Sequence, residues 1–308
     1  MYYIVYGLLY CFSLLPFFIL YGISDFVAFI LYSVMGYRKK VVLVNLGIAF
    51  PEKPEKERRQ IAKQFYRNFT DTFIETLKLL SLSNNQISHR GIIDITDVQP
   101  LIESGKNIQF MGGHQMNWEF VNMAVAEKIN ISWVGIYLRI NNKIMDKIIY
   151  KMRSKRGTVL VAAHEFVTLR NAVFNQQYAI GLAADQNPGN LTNVYWLNYF
   201  NKPAPFFSGP DKSARNSNIA VVFVDMVKVK RGYYKFVPEV FSKDGSLLNE
   251  KEFTLKYRDF MERIIRKQPA NYLWSHKRWK WGYREGYKWI DGTPEPAFED
   301  VRSQYYSP

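Results

Sequence analysis

The first 36 residues constrain this chain more than any other feature. Between Met1 and Gly36 the single charge is Asp25, and Tyr2–Leu20 is a run of 19 residues with none. That is about the length needed to cross a bilayer core. Arg38-Lys39-Lys40 follow at once. A cleaved signal peptide carries its positive residues before the apolar stretch and small residues at its end, and here the order is reversed. No later segment of similar apolarity offers itself as a packing partner. The expectation is therefore an N-terminal apolar membrane-anchor helix rather than a buried core helix. The positive-inside rule then puts Arg38, Lys39, Lys40 and the body behind them on the cytoplasmic face. Three arrangements stay open: one span, a hairpin about Gly22-Ile23-Ser24-Asp25, or a seat in the interface, which Tyr2, Tyr3, Tyr6 and Tyr10 suit.

The charge balance adds a second constraint. Lys plus Arg is 41 and Asp plus Glu is 27, a net charge of +14. The segment before Tyr37 contributes −1, so the body carries +15. An anionic partner is implied, and each Lys or Arg near an anionic leaflet is worth about 1 kcal/mol. Nucleic acid would account for the charge and not for the anchor, so no nucleic-acid partner is expected. Hydrophobic residues at 48% and charged residues at 22% exclude a disordered chain. A lone cysteine, Cys11, excludes an intrachain disulfide and a cysteine-rich zinc site.

Behind the anchor, Ile61, Phe65, Phe69, Phe73, Leu77 and Leu80 mark one face of a long amphipathic helix, read as core packing. From Ile92 short apolar runs alternate with helical patterns. Asn107–Met111, Ser132–Tyr137, Thr158–Ala162, Tyr178–Ala183 and Ile219–Val227 read as strands. Trp118–Lys128, Lys143–Lys155, Glu165–Asn175 and Lys251–Lys267 read as helices. The fold class is α/β, with a mixed, largely parallel sheet flanked by helices. The expected organisation is an anchor over 1–36, a catalytic body over 37–290 and a tail over 291–308.

Four histidines are the candidates for proton transfer. His114 follows Ile108–Met111 and Gly112-Gly113, and a helix opens near Trp118. It therefore sits at a strand–turn–helix junction, where glycines admit a close neighbour or ligand. A helix N-terminus disfavours the imidazolium, and a neutral imidazole is what a general base needs. Glu119 lies five positions on. With His114 just outside the helix the two can meet, and Glu119 would orient the ring as the third member of a catalytic triad does. The bland alternative is a strand-end histidine satisfied by a carbonyl. His89 has Asp94 at the same spacing without the apolar strand and glycine turn, and reads as structural. His164-Glu165 opens like a metalloprotease helix, but position 168 is Thr, so no metal is expected. There is no G-x-S-x-G elbow, Walker A loop or dinucleotide fingerprint. Around His276, basic residues alternate with Trp279, Trp281, Tyr283, Tyr287 and Trp289. That pattern suits a membrane interface, single-stranded nucleic acid or a plain solvated edge.

Several of these pieces resemble one family. His114-x4-Glu119 is similar to the H-x4-D/E signature of glycerolipid-type acyltransferases. Arg38–Pro51, Ile108–Glu119, Tyr137-Leu138-Arg139 with Asn141-Asn142, Ala184–Pro188 and Gln268–Lys280 resemble, in order, blocks of the late acyltransferases of lipid A biosynthesis and the related phosphatidylinositol mannoside acyltransferases. The chain departs from them at Tyr199-Phe200-Asn201, where Phe-Phe-Gly is frequent, and at Gln115-Met116, where Phe-Gly is frequent. Both departures are expected near acceptor or acyl contacts.

The resemblance implies a membrane-bound O-acyltransferase on the cytoplasmic face of a bacterial inner membrane. The implied donor is an acyl thioester on acyl carrier protein, or acyl-CoA, and no cofactor is needed. The implied acceptor is a hydroxyl of an anionic lipid A precursor. Another membrane lipid, such as an aminolipid or a glycosylated phospholipid, is the alternative, and a non-catalytic membrane-surface binding protein is a further one. His114 and Glu119 are the implied catalytic residues. Arg153 and Asp185 form a supporting pair, and Asn117, Arg139 and Gln186 complete the site. The tetrahedral oxyanion needs donors, each often worth about 3 kcal/mol.

Overall fold

A computed structural model describes residues 1–308 except 167, 169–172, 218, 300–305 and 307–308. The expected helix over Glu165–Asn175 lies largely outside the described residues. At the N-terminus, α1 (Tyr2–Leu14) gives way to α2 (Phe17–Phe29) and a π turn over Ile30–Val34. The break between α1 and α2 falls at Leu15-Pro16, because Pro16 is the N-cap of α2 and has no N–H to continue α1. Gly22-Ile23-Ser24-Asp25, the expected hairpin position, lies inside α2. Next come α3 (Lys39–Ala49) and α4 (Glu55–Lys78). Glu55 and Glu57 in the first turn of α4, with Lys78 in its last, complement its dipole. Of the apolar face expected in the core, Phe65 is buried and Phe73 is exposed.

After α5 (Asn84–Arg90) the sheet begins. Its strands are β1 (Gly91–Ile93), β2 (Ile108–Gly112), β3 (Ser132–Tyr137), β4 (Val159–Ala162), β5 (Tyr178–Ala183), β8 (Ala220–Lys230) and β9 (Tyr233–Ser242). Between β5 and β8 a separate hairpin forms from β6 (Val194–Tyr199) and β7 (Lys202–Phe207). The spatial order is β1-β9-β8-β2-β5-β3-β4. β4, β3, β5, β2 and β8 run parallel, and β9 reverses by hairpin with β1 parallel to it. The helices within this region are α6 (Gln99–Glu103), α7 (Trp118–Lys128), α8 (Lys143–Ser154), α9 (Gly209–Asn216) and α10 (Glu252–Lys267).

Strand alternation sorts the core into two layers. Met111, Val221 and Phe223 face α3, α4, α10 and the β6–β7 hairpin. Ile108, Phe110, Val222 and Val224 face α5, α7 and α8.

The N-terminal helices are not a detached anchor. Halfway along α2, Ser24 donates to Asp71 Oδ1 at 2.7 Å and Tyr21 donates to Glu75 Oε1 at 3.0 Å. Asp25 accepts from Arg231 at 2.9 Å and from Arg67 at 3.1 Å. Asp71 also holds Arg231 at 2.6 Å and Lys228 at 3.3 Å. Gly232, at φ +74°, makes the β8–β9 turn, and a Cβ there would meet the Tyr21 hydroxyl at 2.2 Å. The turn is thus pressed onto α2.

Removing one member of a buried charge network strands the rest. Asp71→Ala should lower stability by about 3 kcal/mol, because Lys228 and Arg231 lose a shared carboxylate. Denaturant unfolding in detergent followed by tryptophan fluorescence measures this. A loss under about 0.5 kcal/mol, the size of an ordinary surface substitution, would contradict the network's role.

Candidate active site

Parallel strands end together, and in α/β sheets ligands bind beyond their carboxyl ends. β2 and β5 are neighbours in a register that sets Gly112 beside Ala183. His114 and Asp185 each stand two residues past that last pair, so the register alone delivers them to one place. His114 Nδ1 lies 2.7 Å from Asp185 Oδ1, and the His114 backbone N–H donates to Oδ2 at 3.1 Å. The Asp185 side chain is 0% exposed and that of His114 is 28% exposed. Tyr257 of α10 locks the two strand ends: its hydroxyl donates to Gly112 O at 2.6 Å and accepts from the Ala184 N–H at 3.2 Å. A Cβ at Gly113 would meet Met261 Cε of α10 at 2.2 Å and Asp185 Cγ at 3.6 Å. The second glycine therefore admits α10.

The electrostatics favour a charged pair. Burial acts against the imidazolium, but the Asp185 charge and hydrogen bond outweigh it and raise the His114 pKa above 6.5. Burial would raise Asp185 in turn, yet His114 holds it at about 2. The expectation that a helix N-terminus keeps His114 neutral is corrected by this buried carboxylate at contact distance. With Asp185 on Nδ1, the neutral ring carries its proton there and presents the Nε2 lone pair, which has no protein partner among the described residues. Such a nitrogen can accept a proton from a hydroxyl.

The expected partners are exchanged. Glu119, in the first turn of α7, makes no hydrogen bond or ion pair with His114 among the described residues. Its carboxylate is gripped by Arg153 through Nε at 2.8 Å and through Nη2, and by the Trp118 indole N–H at 3.2 Å. Trp118 packs edge-on to the His114 ring with centroids 5.8 Å apart. Trp118 thus links Glu119 to His114. The expected Arg153–Asp185 pair is likewise replaced by Arg153–Glu119 and His114–Asp185. Burial opposes the Arg153 charge, and Glu119 outweighs it. Arg153 Nη1 is left without a protein partner among the described residues.

Other expected residues are placed apart. Asn117 is buried, caps α7 by accepting from Phe120 N at 3.3 Å, and donates to Glu75 Oε2 at 3.1 Å. Arg139 is exposed and paired with Glu165. Gln186 is half-buried next to Asp185. His89 is exposed against Tyr233, and His164 is exposed beside Glu165. At the two departures from the family pattern, Gln115, Met116, Tyr199 and Phe200 pack into the protein. Gln115 is buried on Asp225 at 2.9 Å and on the Met226 N–H at 2.9 Å, and Met116 is buried against Thr72. Phe200 and Asn201, at φ 50° and 61°, form the β6–β7 turn, with Phe200 buried. The expected basic-aromatic surface is divided: Trp274, Arg278, Trp279 and Tyr283 are buried, Lys277, Lys280, Trp281, Tyr287 and Trp289 are half-buried, and Arg284 and Lys288 are exposed. Tyr257 and His276 went unassigned in the sequence, since neither stands in a local motif with His114.

The chain matches the family model described as bacterial lipid A biosynthesis acyltransferase over residues 1–281. The chain belongs to this acyltransferase family. It is similar to the lipid A biosynthesis palmitoleoyltransferase of Escherichia coli (strain K12), 21% identical over 257 residues, which cover 79% of each chain. A lipid A biosynthesis acyltransferase of Haemophilus influenzae is 23% identical over 257 residues, 79% of this chain and 78% of its own. The homologous protein of Shigella flexneri, a lipid A biosynthesis acyltransferase, is 21% identical over the same length. The chain is an acyltransferase.

An acyltransferase that uses Nε2 as its base needs His114 neutral, so activity rises with pH through a pKa above 6.5. Asp185→Asn should lower kcat/KM roughly 10³–10⁴-fold, as loss of a triad carboxylate does. It should also move the ascending limb to lower pH, because burial then acts alone. Glu119→Gln should lower kcat and leave the limb in place. A limb that moves in Glu119→Gln and stays in Asp185→Asn would reverse the assignment.

Proposed function

We propose that this acyltransferase moves a fatty acyl chain from a thioester on acyl carrier protein to a hydroxyl of a phosphorylated glucosamine lipid, a precursor of lipid A. The observation that carries the reading is the His114–Asp185 pair at the carboxyl edge of the sheet in a chain of this family. His114 Nε2 takes the proton of the acceptor hydroxyl while that oxygen attacks the thioester carbonyl carbon. A new C–O bond forms and the carbonyl oxygen becomes an oxyanion. Collapse breaks the C–S bond, and the departing sulfur takes the proton from His114. Asp185 holds the ring and balances the imidazolium. Arg153, fixed by Glu119, offers Nη1 to the oxyanion, a contribution of about 3 kcal/mol. No covalent acyl-enzyme is needed. The names of the relatives support the lipid A acceptor, and the +14 charge suits an acidic carrier protein.

The proposed location is the cytoplasmic leaflet of the bacterial inner membrane, with α1 and α2 lying in the interface plane. Phe17–Val34 is long and apolar enough to cross a membrane by length and composition. Yet Asp25, in the middle of that window, is bonded to Arg67 and Arg231 of the body. A span would carry those charges to bilayer mid-depth, at about 2.5–3.5 kcal/mol each. An interfacial seat avoids that cost. Tyr3, Ile4, Leu8, Leu14, Phe18, Phe26 and Phe29 point outward, and an apolar cleft of about 320 Å³ between α2 and α4 opens among Val27, Leu31, Phe69 and Phe73. Arg38 and Lys40, which follow this apolar segment in the chain, are exposed.

Deleting the gene should remove one acyl chain from lipid A in lipid mass spectrometry. Wild type and His89→Ala should restore it and His114→Ala should not. An unchanged lipid A with a different lipid under-acylated would move the acceptor. Topology is read from Cys11, the single and exposed cysteine. A membrane-impermeant maleimide should label it in inverted vesicles and not in intact spheroplasts. The opposite result would establish a span between Cys11 and Tyr37.

A further inference from the structure

His276 takes no part in the proton transfer above, yet the fold holds it beside that chemistry. The segment carrying it is stitched to the His114 loop: Leu273 N donates to His114 O at 3.1 Å, and Gln115 bridges to Tyr272. Three residues after Leu273, His276 Nε2 accepts the Asn187 backbone N–H at 2.9 Å. Asn187 stands two residues after Asp185, so one loop fixes both imidazoles.

The backbone around His276 is equally held. Asn45 Nδ2 donates to the carbonyls of Trp274 and His276, both at 2.7 Å, and Asn187 Nδ2 donates to Lys277 O. An imidazole nitrogen that accepts an N–H carries its lone pair there, so the ring proton of His276 sits on Nδ1. That Nδ1–H has no protein partner among the described residues, and the ring is half-buried rather than sealed. Burial first, then the Arg278 charge, press the His276 pKa down to about 4, with His114 and Arg38 adding to the effect and Asp185 opposing it. The ring is therefore a neutral, oriented donor at any physiological pH. Arg38 stands next to it, its guanidinium donating to Ser275 O at 2.9 Å. A fixed donor backed by positive charge, with its partner missing, is what an anionic oxygen requires.

We infer that the His276 Nδ1–H donates a hydrogen bond to a negatively charged oxygen of the bound substrate, with Arg38 supplying the neighbouring positive charge. The inference rests on the acyl-transfer reading above. Two oxygens share this chemistry: the oxyanion at the acyl carbon, and a phosphate oxygen of the donor carrier or of the acceptor lipid.

The test uses the full chain in detergent, with a fatty acyl–acyl carrier protein and an acylated glucosamine phosphate lipid as substrates. His276→Ala, His276→Asn and His276→Gln are compared. The asparagine amide N–H falls near the imidazole Nδ1 position, and the glutamine amide does not. If the oxyanion is the partner, His276→Ala lowers kcat about 10²–10³-fold with KM unchanged, as for loss of one oxyanion donor. If a phosphate is the partner, KM rises about tenfold or more for the substrate that bears it, and kcat holds. In either case His276→Asn recovers a substantial part of the loss and His276→Gln does not. Activity within twofold of wild type in His276→Ala would overturn the inference. So would equal impairment of all three variants accompanied by a lower melting temperature. Wild-type turnover in the same assay, abolished by His114→Ala, separates these outcomes from failure of the acyl-transfer reading itself.

Discussion

The contact on which this site depends is the one between His114 and Asp185. It joins the ends of two adjacent parallel strands through a side chain and a backbone N–H at once. A buried carboxylate without such a partner would be pushed toward its neutral form. Here the imidazole and the His114 N–H keep Asp185 ionised, and Asp185 in turn keeps the imidazole oriented and raises its affinity for a proton. The rest of the edge is built to hold that pair. Tyr257 fixes both strand ends, Gly113 lets α10 close behind them, and Trp118 backs the ring.

A second layer of polar contacts ties this edge to the N-terminal helices. Glu75 of α4 accepts from Tyr21 of α2 on one oxygen and from Asn117 and Tyr234 on the other. Burial raises the Glu75 pKa, and the hydrogen bonds from Tyr234 and Asn117 and the charge of Lys228 work against that rise. Asn117 is the cap of α7, the helix that carries Trp118 and Glu119. The helix proposed to sit in the membrane interface is thus one residue removed from the helix that backs the proposed base. That continuity explains why a segment so apolar still carries Tyr21, Ser24 and Asp25 on its inner face.

Where the sequence carried a local pattern, the structure follows it. Ser132–Tyr137, Tyr178–Ala183 and Trp118–Lys128 have the expected bounds, because apolar runs bounded by turns report burial directly. His114 at a strand–glycine–helix junction was readable for the same reason. Its partner was not. Asp185 lies 71 residues away, and only the adjacency of β2 and β5 brings it in. The H-x4-E spacing instead pointed to Glu119, which a bidentate arginine from α8 has taken. The β6–β7 hairpin was missed as well: its turn is Phe200-Asn201, without the glycine that marks such turns. The basic run from Lys277 was misleading at one position: Arg278 packs inward beside Trp279, whereas Arg284 and Lys288 face solvent as a charge pattern implies.

The central claim is that Asp185, not Glu119, sets the state of the proposed base. Nitrogen NMR of the chain labelled at histidine tests it without reference to turnover. The account predicts that His114 is protonated on Nδ1 in its neutral form and titrates above 6.5. It also predicts that Asp185→Asn lowers that midpoint while Glu119→Gln leaves it in place. A His114 that titrates at or below 6.5 with its proton on Nε2, or that responds to Glu119→Gln alone, would contradict it.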